Sequence, residues 1–443
     1  MELTRSIFEY LRCFTAYIRK RHDPKAIAFS SLTQKHSYRL VASAHTDRMI
    51  GFRYLKKALE LVFSNREQVH RFRNGNSAIF DGHEKQLEQR QEYLEMLADS
   101  APAFFLQKEA LGIKKLILSR FLEALQVVAI GIFIIPISIF HSRRGSIALN
   151  LLELVECARL IELLRANQVD TLYFFCSYNK DSNFIALRLK KHGIRCVRVP
   201  SSNPNNNFYK QVVSDVFALT APYQKNELEA LKTNYFVDEY VEWPVFNFQS
   251  IYPLLNEYDK PKPNTLGLIS SGTWRRQERG DMALGIGDQE SELRVLEFLK
   301  QYLTSRPEIN FSIFMHPIEK ASPELIQKAQ AHYDAYFAPT QVTLLDPSKA
   351  TFQLFDQVDV SIAAYSSANM ERLYAGFKTL YAPLGMRTDF YAGSSLENIA
   401  AFDESDLGEL LDRSFRFSVD EFFEKNQLQE YHHSYYSDRI HRK

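Results

Sequence analysis

FSIFMHPIEK (residues 311–320) and VDVSIAAYSSANMERLYAGFKTLYAP (residues 358–383) decide how this chain folds. Each contains an apolar run that stops at a polar cluster, the pattern of a buried strand ending in a turn. The first run ends at His316 and Pro317. The second ends at Ser366 and Ser367, and helix formers carrying Glu371 follow before Gly376. A sheet edge that offers an imidazole, two hydroxyls at a helix start and a carboxylate one turn on can hold the phosphate and ribose of a nucleotide.

Strand–helix alternation spreads outward from these runs. TLGLISSG (265–272) predicts a strand with a glycine turn, ESELRVLEFLKQYLTS (290–305) a helix, PELIQKAQAHYDAYF (323–337) another, and QVTLLDP (341–347) and TLYAPL (379–384) two more strands. Upstream, TLYFFCSY (171–178), IRCVRVP (194–200), SDVFALT (214–220) and YVEWPV (240–245) predict strands; DSNFIALRLKKHG (181–193) and APYQKNELEAL (221–231) predict helices between them. Two prolines in the polar stretch NEYDKPKPNT (256–265) mark a linker. The expected fold class is therefore α/β, with two Rossmann-like domains and a helical N-terminal extension. The expected divisions are a helical, basic region at 1–125, Rossmann-like units at 126–255 and 264–418, and a helical tail at 419–443. Ligands of such sheets sit at the carboxyl ends of the strands, so a cleft between two such edges is the expected site.

Apolar residues make up 45% of the chain and charged residues 24%, which excludes a largely disordered protein. The net charge of +1 hides an asymmetry: residues 1–150 hold 23 Lys and Arg against 14 Asp and Glu. A basic front half points to a polyanionic neighbour such as a membrane surface. Nucleic acid is disfavoured because no recognition motif is present. Cys13, Cys157, Cys176 and Cys196 have neither zinc-knuckle nor CxxC spacing, and MELTRSIFEYLRC has no signal-peptide core. The sequence thus reads as a reduced, cytoplasmic protein. The 14-residue run VVAIGIFIIPISIF (Val127–Phe140) is shorter than a spanning helix needs. It fits a buried strand or core helix, or else a patch that dips into a bilayer interface.

Every candidate residue also has an ordinary structural use. His316 can donate to a phosphate oxygen or merely end a strand. Ser366 and Ser367 can bind an anion together with the helix dipole, although serine is a commonplace N-cap. Glu371 can accept two hydrogen bonds from a ribose diol or simply complement the first turn of a helix. In SSGTWRRQERG (270–280), Gly272 permits close backbone approach, Thr273 offers a hydroxyl, and Arg275 or Arg276 can pair with a phosphate. GDMALGIGDQE (280–290) has glycines but no GxGxxG.

The HP at 316–317, the SS-x3-E-x4-G pattern at 366–376 and the twin alternating units resemble GT-B glycosyltransferases of bacterial surface-polysaccharide biosynthesis. The likeness spans roughly residues 150–420 and is nearest to HP/serine-motif sialyltransferases, Kdo transferases and CDP-glycerol polymerases. It implies transfer of a sugar, such as sialic acid or Kdo from a CMP donor, to a glycan or lipid-linked glycan. It also implies that His316, Ser366 and Ser367 hold the donor phosphate and Glu371 the ribose or base. One departure stands out: residues 150–250 contain no acidic-acidic-glycine motif of the kind that supplies the base in the sialyltransferases. Asp181, just past TLYFFCSY, is the candidate general base and equally a natural N-cap. Tyr178, Asn179, Thr220 and Tyr223 lie on comparable loops and could line an acceptor site. The chain contains no DxD triplet, so a mechanism without metal or cofactor is expected, with helix dipole, His316 and an arginine opposite the leaving phosphate. A nucleotide-sugar epimerase, a glycerophosphotransferase and a non-catalytic assembly scaffold are the alternatives.

Overall fold

In a computed structural model the described residues are 2–20, 22–33, 49–63, 66–71, 76–81, 87–97, 104–112, 118–141, 144–175, 182–199, 211–219, 235–245, 247–280, 288–386, 391 and 393–440. The chain forms two compact units, Met1–Leu219 with Leu228–Val241, and Thr220–Glu227 with Glu242–Lys443.

The first unit opens with helices α1 (Glu2–Ile18), α2 (Pro24–Thr33) and α3 (Ile50–Phe63). Strands β1 (Arg66–Arg71) and β2 (Ser77–Asp81), helix α4 (Leu87–Leu97) and strand β3 (Phe104–Gly112) follow. Then come α5 (Leu118–Phe140), α6 (Asn150–Ala166), β4 (Thr171–Phe174), α7 (Ser182–Lys190), β5 (Arg195–Arg198), β6 (Val212–Leu219) and β7 (Tyr235–Glu242). The seven strands lie in the order β1-β3-β2-β4-β5-β6-β7. From β3 to β6 all neighbours are parallel, and β1 joins the β3 edge antiparallel. Counting the parallel strands along the chain gives 2-1-3-4-5, a doubly wound order.

Residues 1–125, expected to be helical, therefore contribute three strands to this sheet. FFLQKEALG of β3 is rich in good helix formers, and pairing with β1 and β2 overrides that local preference. In β2, Ala78, Ile79 and Phe80 are buried in a short apolar run. The apolar stretch Val127–Phe140 is the later part of α5. One face of that helix joins the core through Val127, Ile130, Ile134 and Ile135. Glycines let α5 approach α3: an added Cβ on Gly131 would lie 3.2 Å from Leu55, and one on Gly51 3.1 Å from Ile135. Beneath them, α6 is buried on nearly every side, and its Arg159 pairs with Glu123 of α5 and Glu162. APYQKNELEAL lies outside the described residues.

The second unit contains β8 (Thr265–Ile269), α8 (Thr273–Arg279), α9 (Asp288–Thr304), β9 (Asn310–Phe314), α10 (Pro323–Phe337) and β10 (Val342–Leu344). A 3₁₀ helix (Thr351–Gln357), β11 (Val360–Ala363), α11 (Ser367–Tyr374), β12 (Thr379–Tyr381), α12 (Glu404–Arg416) and α13 (Val419–Lys425) complete it. Its five strands are parallel in the order β10-β9-β8-β11-β12, or 3-2-1-4-5 along the chain. The topological switch falls between β8 and β11. Register sets Ile269 beside Phe314 and Leu268 beside Ile362, so the turns after β8, β9 and β11 leave the sheet at one level. After α13 the tail packs back through buried Tyr431 and Tyr436.

Candidate functional site

The turn after β9 is built around a buried carboxylate. Glu319 Oε2 accepts the backbone N–H of His316 at 2.7 Å. The other oxygen, Oε1, accepts from Tyr333 Oη at 2.8 Å and from the Trp274 indole. Three elements, α8, α10 and the His316-Pro317 turn, are thereby tied to one side chain. Burial pushes the Glu319 carboxyl upward in spite of these donors.

His316 is itself largely buried. Burial, and then the nearby Arg276 charge, lower its pKa to about 4, so the ring is neutral at physiological pH. Its Nδ1 accepts the Ile318 backbone N–H at 3.2 Å. A neutral imidazole that accepts at Nδ1 carries its proton on Nε2, which makes His316 a hydrogen-bond donor.

At the switch point, Ser366 caps α11, with Oγ accepting the Ala368 N–H at 3.2 Å. Glu371 faces back from the same helix and is buried. Asn247 Nδ2 donates to its Oε1 at 2.7 Å. Burial raises the Glu371 pKa to about 7 against the opposing effect of that hydrogen bond. The next residue, Arg372, is fully buried and fastens α11 to the 3₁₀ segment. It donates to the carbonyls of Phe355, Val358 and Asp359, and burial lowers its pKa to about 9.

A cavity of about 450 Å³ opens at this edge, and His316, Pro317, Ser366, Ser367 and Glu371 all line it. That volume suits a nucleotide-sized ligand. Asn247, Ser270, Lys320 and Thr351 complete the polar lining. Lys320 Nζ donates to the Lys349 carbonyl at 2.7 Å, and burial lowers its pKa.

The turn after β8 has a different use. Its three successive N–H groups are committed within the protein: Ser271 and Thr273 donate to Glu292, and Gly272 donates to Ser270 Oγ at 2.9 Å. Gly272 adopts φ 70°, and a Cβ there would lie 2.7 Å from Ile318 and 3.3 Å from His316 Cβ. The close approach that this glycine permits is to the His316 turn. Thr273 is buried, and Arg275 pairs with Glu278. Neither these two nor Gly272 lines the cavity. Arg276 is the arginine whose charge reaches His316. Gly376, at φ 86°, closes α11. Asp181, Tyr178, Asn179, Thr220 and Tyr223 lie outside the described residues.

Asn247, Glu292, Glu319 and Lys320 were not singled out from sequence. Glu292 carried a signal, since it falls on the same helical face as Val295, Leu296 and Leu299. An acid on an apolar face is a candidate for buried hydrogen bonding.

No protein-family model matches the chain, and no curated protein matches its sequence. Among solved structures, UDP-GlcNAc 2-epimerase from Neisseria meningitidis bound to UDP-GlcNAc is 12% identical, covering 88% of this chain and 95% of its own, with a TM-score of 0.46. MurG from Acinetobacter baumannii is 12% identical over 80% of this chain and 94% of its own, with a TM-score of 0.39. Another UDP-N-acetylglucosamine 2-epimerase is 14% identical over 79% and 89%, with a TM-score of 0.42. Similarities this loose add nothing to the strand orders, which by themselves make each unit a doubly wound α/β fold.

Proposed function

We propose that this chain is a glycosyltransferase of GT-B type whose second unit holds a nucleotide-activated sugar. One observation carries the proposal: His316, Ser366, Ser367 and Glu371, drawn from two strand ends and one helix, share a single cavity. In this mechanism the neutral His316 donates through Nε2 to a donor phosphate oxygen. Ser366, Ser367 and the positive end of α11 face the same phosphate, and Lys320 adds charge as the leaving group departs. An ionised Glu371, oriented by Asn247, accepts the two ribose hydroxyls. Asp181 is the proposed general base for the acceptor hydroxyl, so Asp181→Asn should abolish transfer and leave donor binding intact. The donor is proposed to be a CMP-linked acidic sugar such as sialic acid or Kdo. The acceptor is proposed to be a glycan or lipid-linked glycan met at the inner face of the plasma membrane.

The test is a thermal-shift and calorimetric screen of CMP, CDP, UDP and GDP against the full chain. A ligand that binds only the native state raises the melting temperature, and the base that gives the largest shift identifies the donor class. If none of the four shifts it, the nucleotide site is wrong. Conversion of the nucleotide-sugar to its epimer in the absence of any acceptor would favour an epimerase instead.

A further inference from the structure

We infer that the first unit lies on an anionic bilayer surface, with α5 parallel to the membrane plane and its outer face in the lipid interface. The inference is independent of the nucleotide site. From Phe121 to Phe140 the outer face of α5 is apolar: Phe121 is 56% exposed, Leu125 51%, Ile132 72% and Phe140 88%, with Leu122 and Val128 between them. Over the same span no charged side chain of α5 reaches solvent, because the sole one, Glu123, is buried against Arg159. At 23 residues and with a mean hydropathy of 2.2 over Phe121–Phe140, the helix is long and apolar enough to cross a membrane. Its inner face, however, is already spent on the protein core. A helix packed along its whole length on one side can meet lipid only edge-on. Pro136 supports the same placement. It removes the hydrogen bond to the Ile132 carbonyl on the exposed side, which a hydrated interface can satisfy and a hydrocarbon core cannot.

The neighbours of α5 specify the lipid. On one side α5 packs against α3, and on the other against α1 through Phe14 and Phe133, whose rings meet edge-on at 5.2 Å. Both flanking helices expose basic residues: Arg5, Arg12 and Arg19 on or at the end of α1, and Arg53, Lys56 and Lys57 on α3. Glu60 is the one exposed acid on those two helices, since Glu2 and Glu9 are buried. Exposed Phe8, Met49 and Phe52 extend the apolar face among these cations. An apolar stripe between two basic rails complements anionic headgroups around an acyl boundary. A second copy of the chain fits poorly, because two-fold pairing about α5 would bring the basic helices of both copies together.

The test is co-sedimentation of the full chain with vesicles of phosphatidylcholine alone and with about 30% phosphatidylglycerol added. Binding should favour the anionic vesicles and weaken with salt. Leu125→Asp/Ile132→Asp should reduce partitioning by about tenfold or more. Lys56→Glu/Lys57→Glu should abolish the preference for anionic lipid. Both variants alter exposed positions, so melting temperature and nucleotide binding should stay unchanged. Failure of the unaltered chain to bind either vesicle would overturn the inference, as would equal binding by the aspartate variant. So would a dimer in sedimentation equilibrium that the aspartate variant dissolves. Nucleotide binding without vesicle binding would remove this inference alone, and vesicle binding without nucleotide binding would remove only the proposed function.

Discussion

Asn247 donates to Glu371 Oε1 at 2.7 Å, so the buried carboxyl of the proposed ribose site is aimed by a residue 124 positions earlier in the chain. With a pKa near 7, Glu371 changes protonation in the physiological range.

Ribonucleotide affinity should therefore rise as pH rises through about 7, because only the carboxylate accepts both ribose hydroxyls. Stability should move the opposite way. A carboxyl raised from its ordinary 4.5 to about 7 contributes stability that is complete below 4.5 and lost as pH rises through 7. Glu371→Gln should flatten both profiles, with a higher melting temperature than the unaltered chain at alkaline pH and weaker ribonucleotide binding. Calorimetry with a ribonucleotide and its 2′-deoxy form separates the two effects. Equal loss for both ligands would remove the ribose assignment.

His316→Ala should weaken nucleotide binding by about 1–3 kcal/mol, the range for a hydrogen bond to a charged group. A ring whose pKa falls from 6.5 to about 4 on folding contributes stability above 6.5 that disappears as pH falls through 4. Acid melts of the unaltered chain and the alanine variant should converge over that interval. Unchanged nucleotide affinity in a folded variant would exclude the phosphate role.

Glu292→Ala leaves two buried N–H groups, those of Ser271 and Thr273, without their acceptor. Urea unfolding should show a loss of about 2–4 kcal/mol. Nucleotide affinity should fall too, since the turn that supports His316 is released. A loss below about 0.5 kcal/mol would mean the turn holds its shape without Glu292.

Arg372→Lys should destabilise by about 2 kcal/mol or more, because one ammonium cannot serve carbonyls spread from Phe355 to Asp359. Circular-dichroism melts measure the effect, and wild-type stability would show that the guanidinium fan is dispensable.

Much of the second unit was legible because its buried strands stop abruptly at polar residues. That contrast located β9, β11, His316, Ser366, Ser367 and Glu371, which the topology brings to one edge. Residues whose importance depends on distant partners were not legible. Asn247 is an unremarkable asparagine until β11 and α11 carry Glu371 to it. Glu319 reads as a solvated acid beside a turn until Trp274 and Tyr333 close over it. In the first unit β3 was hidden by its own helix-forming residues, since only pairing with β1 and β2 makes that segment a strand.

The 2.7 Å separation between a virtual Gly272 Cβ and Ile318 makes these two positions a size-matched pair. Any larger residue at 272 must be answered by a smaller one at 318. Gly272→Ala alone forces a side chain into the left-handed region and into Ile318, while Gly272→Ala/Ile318→Ala relieves that collision and leaves the backbone term and the 3.3 Å approach to His316 Cβ. The double variant should then recover nucleotide affinity that the single one loses, which makes steric compensation across two loops a handle on the imidazole's position.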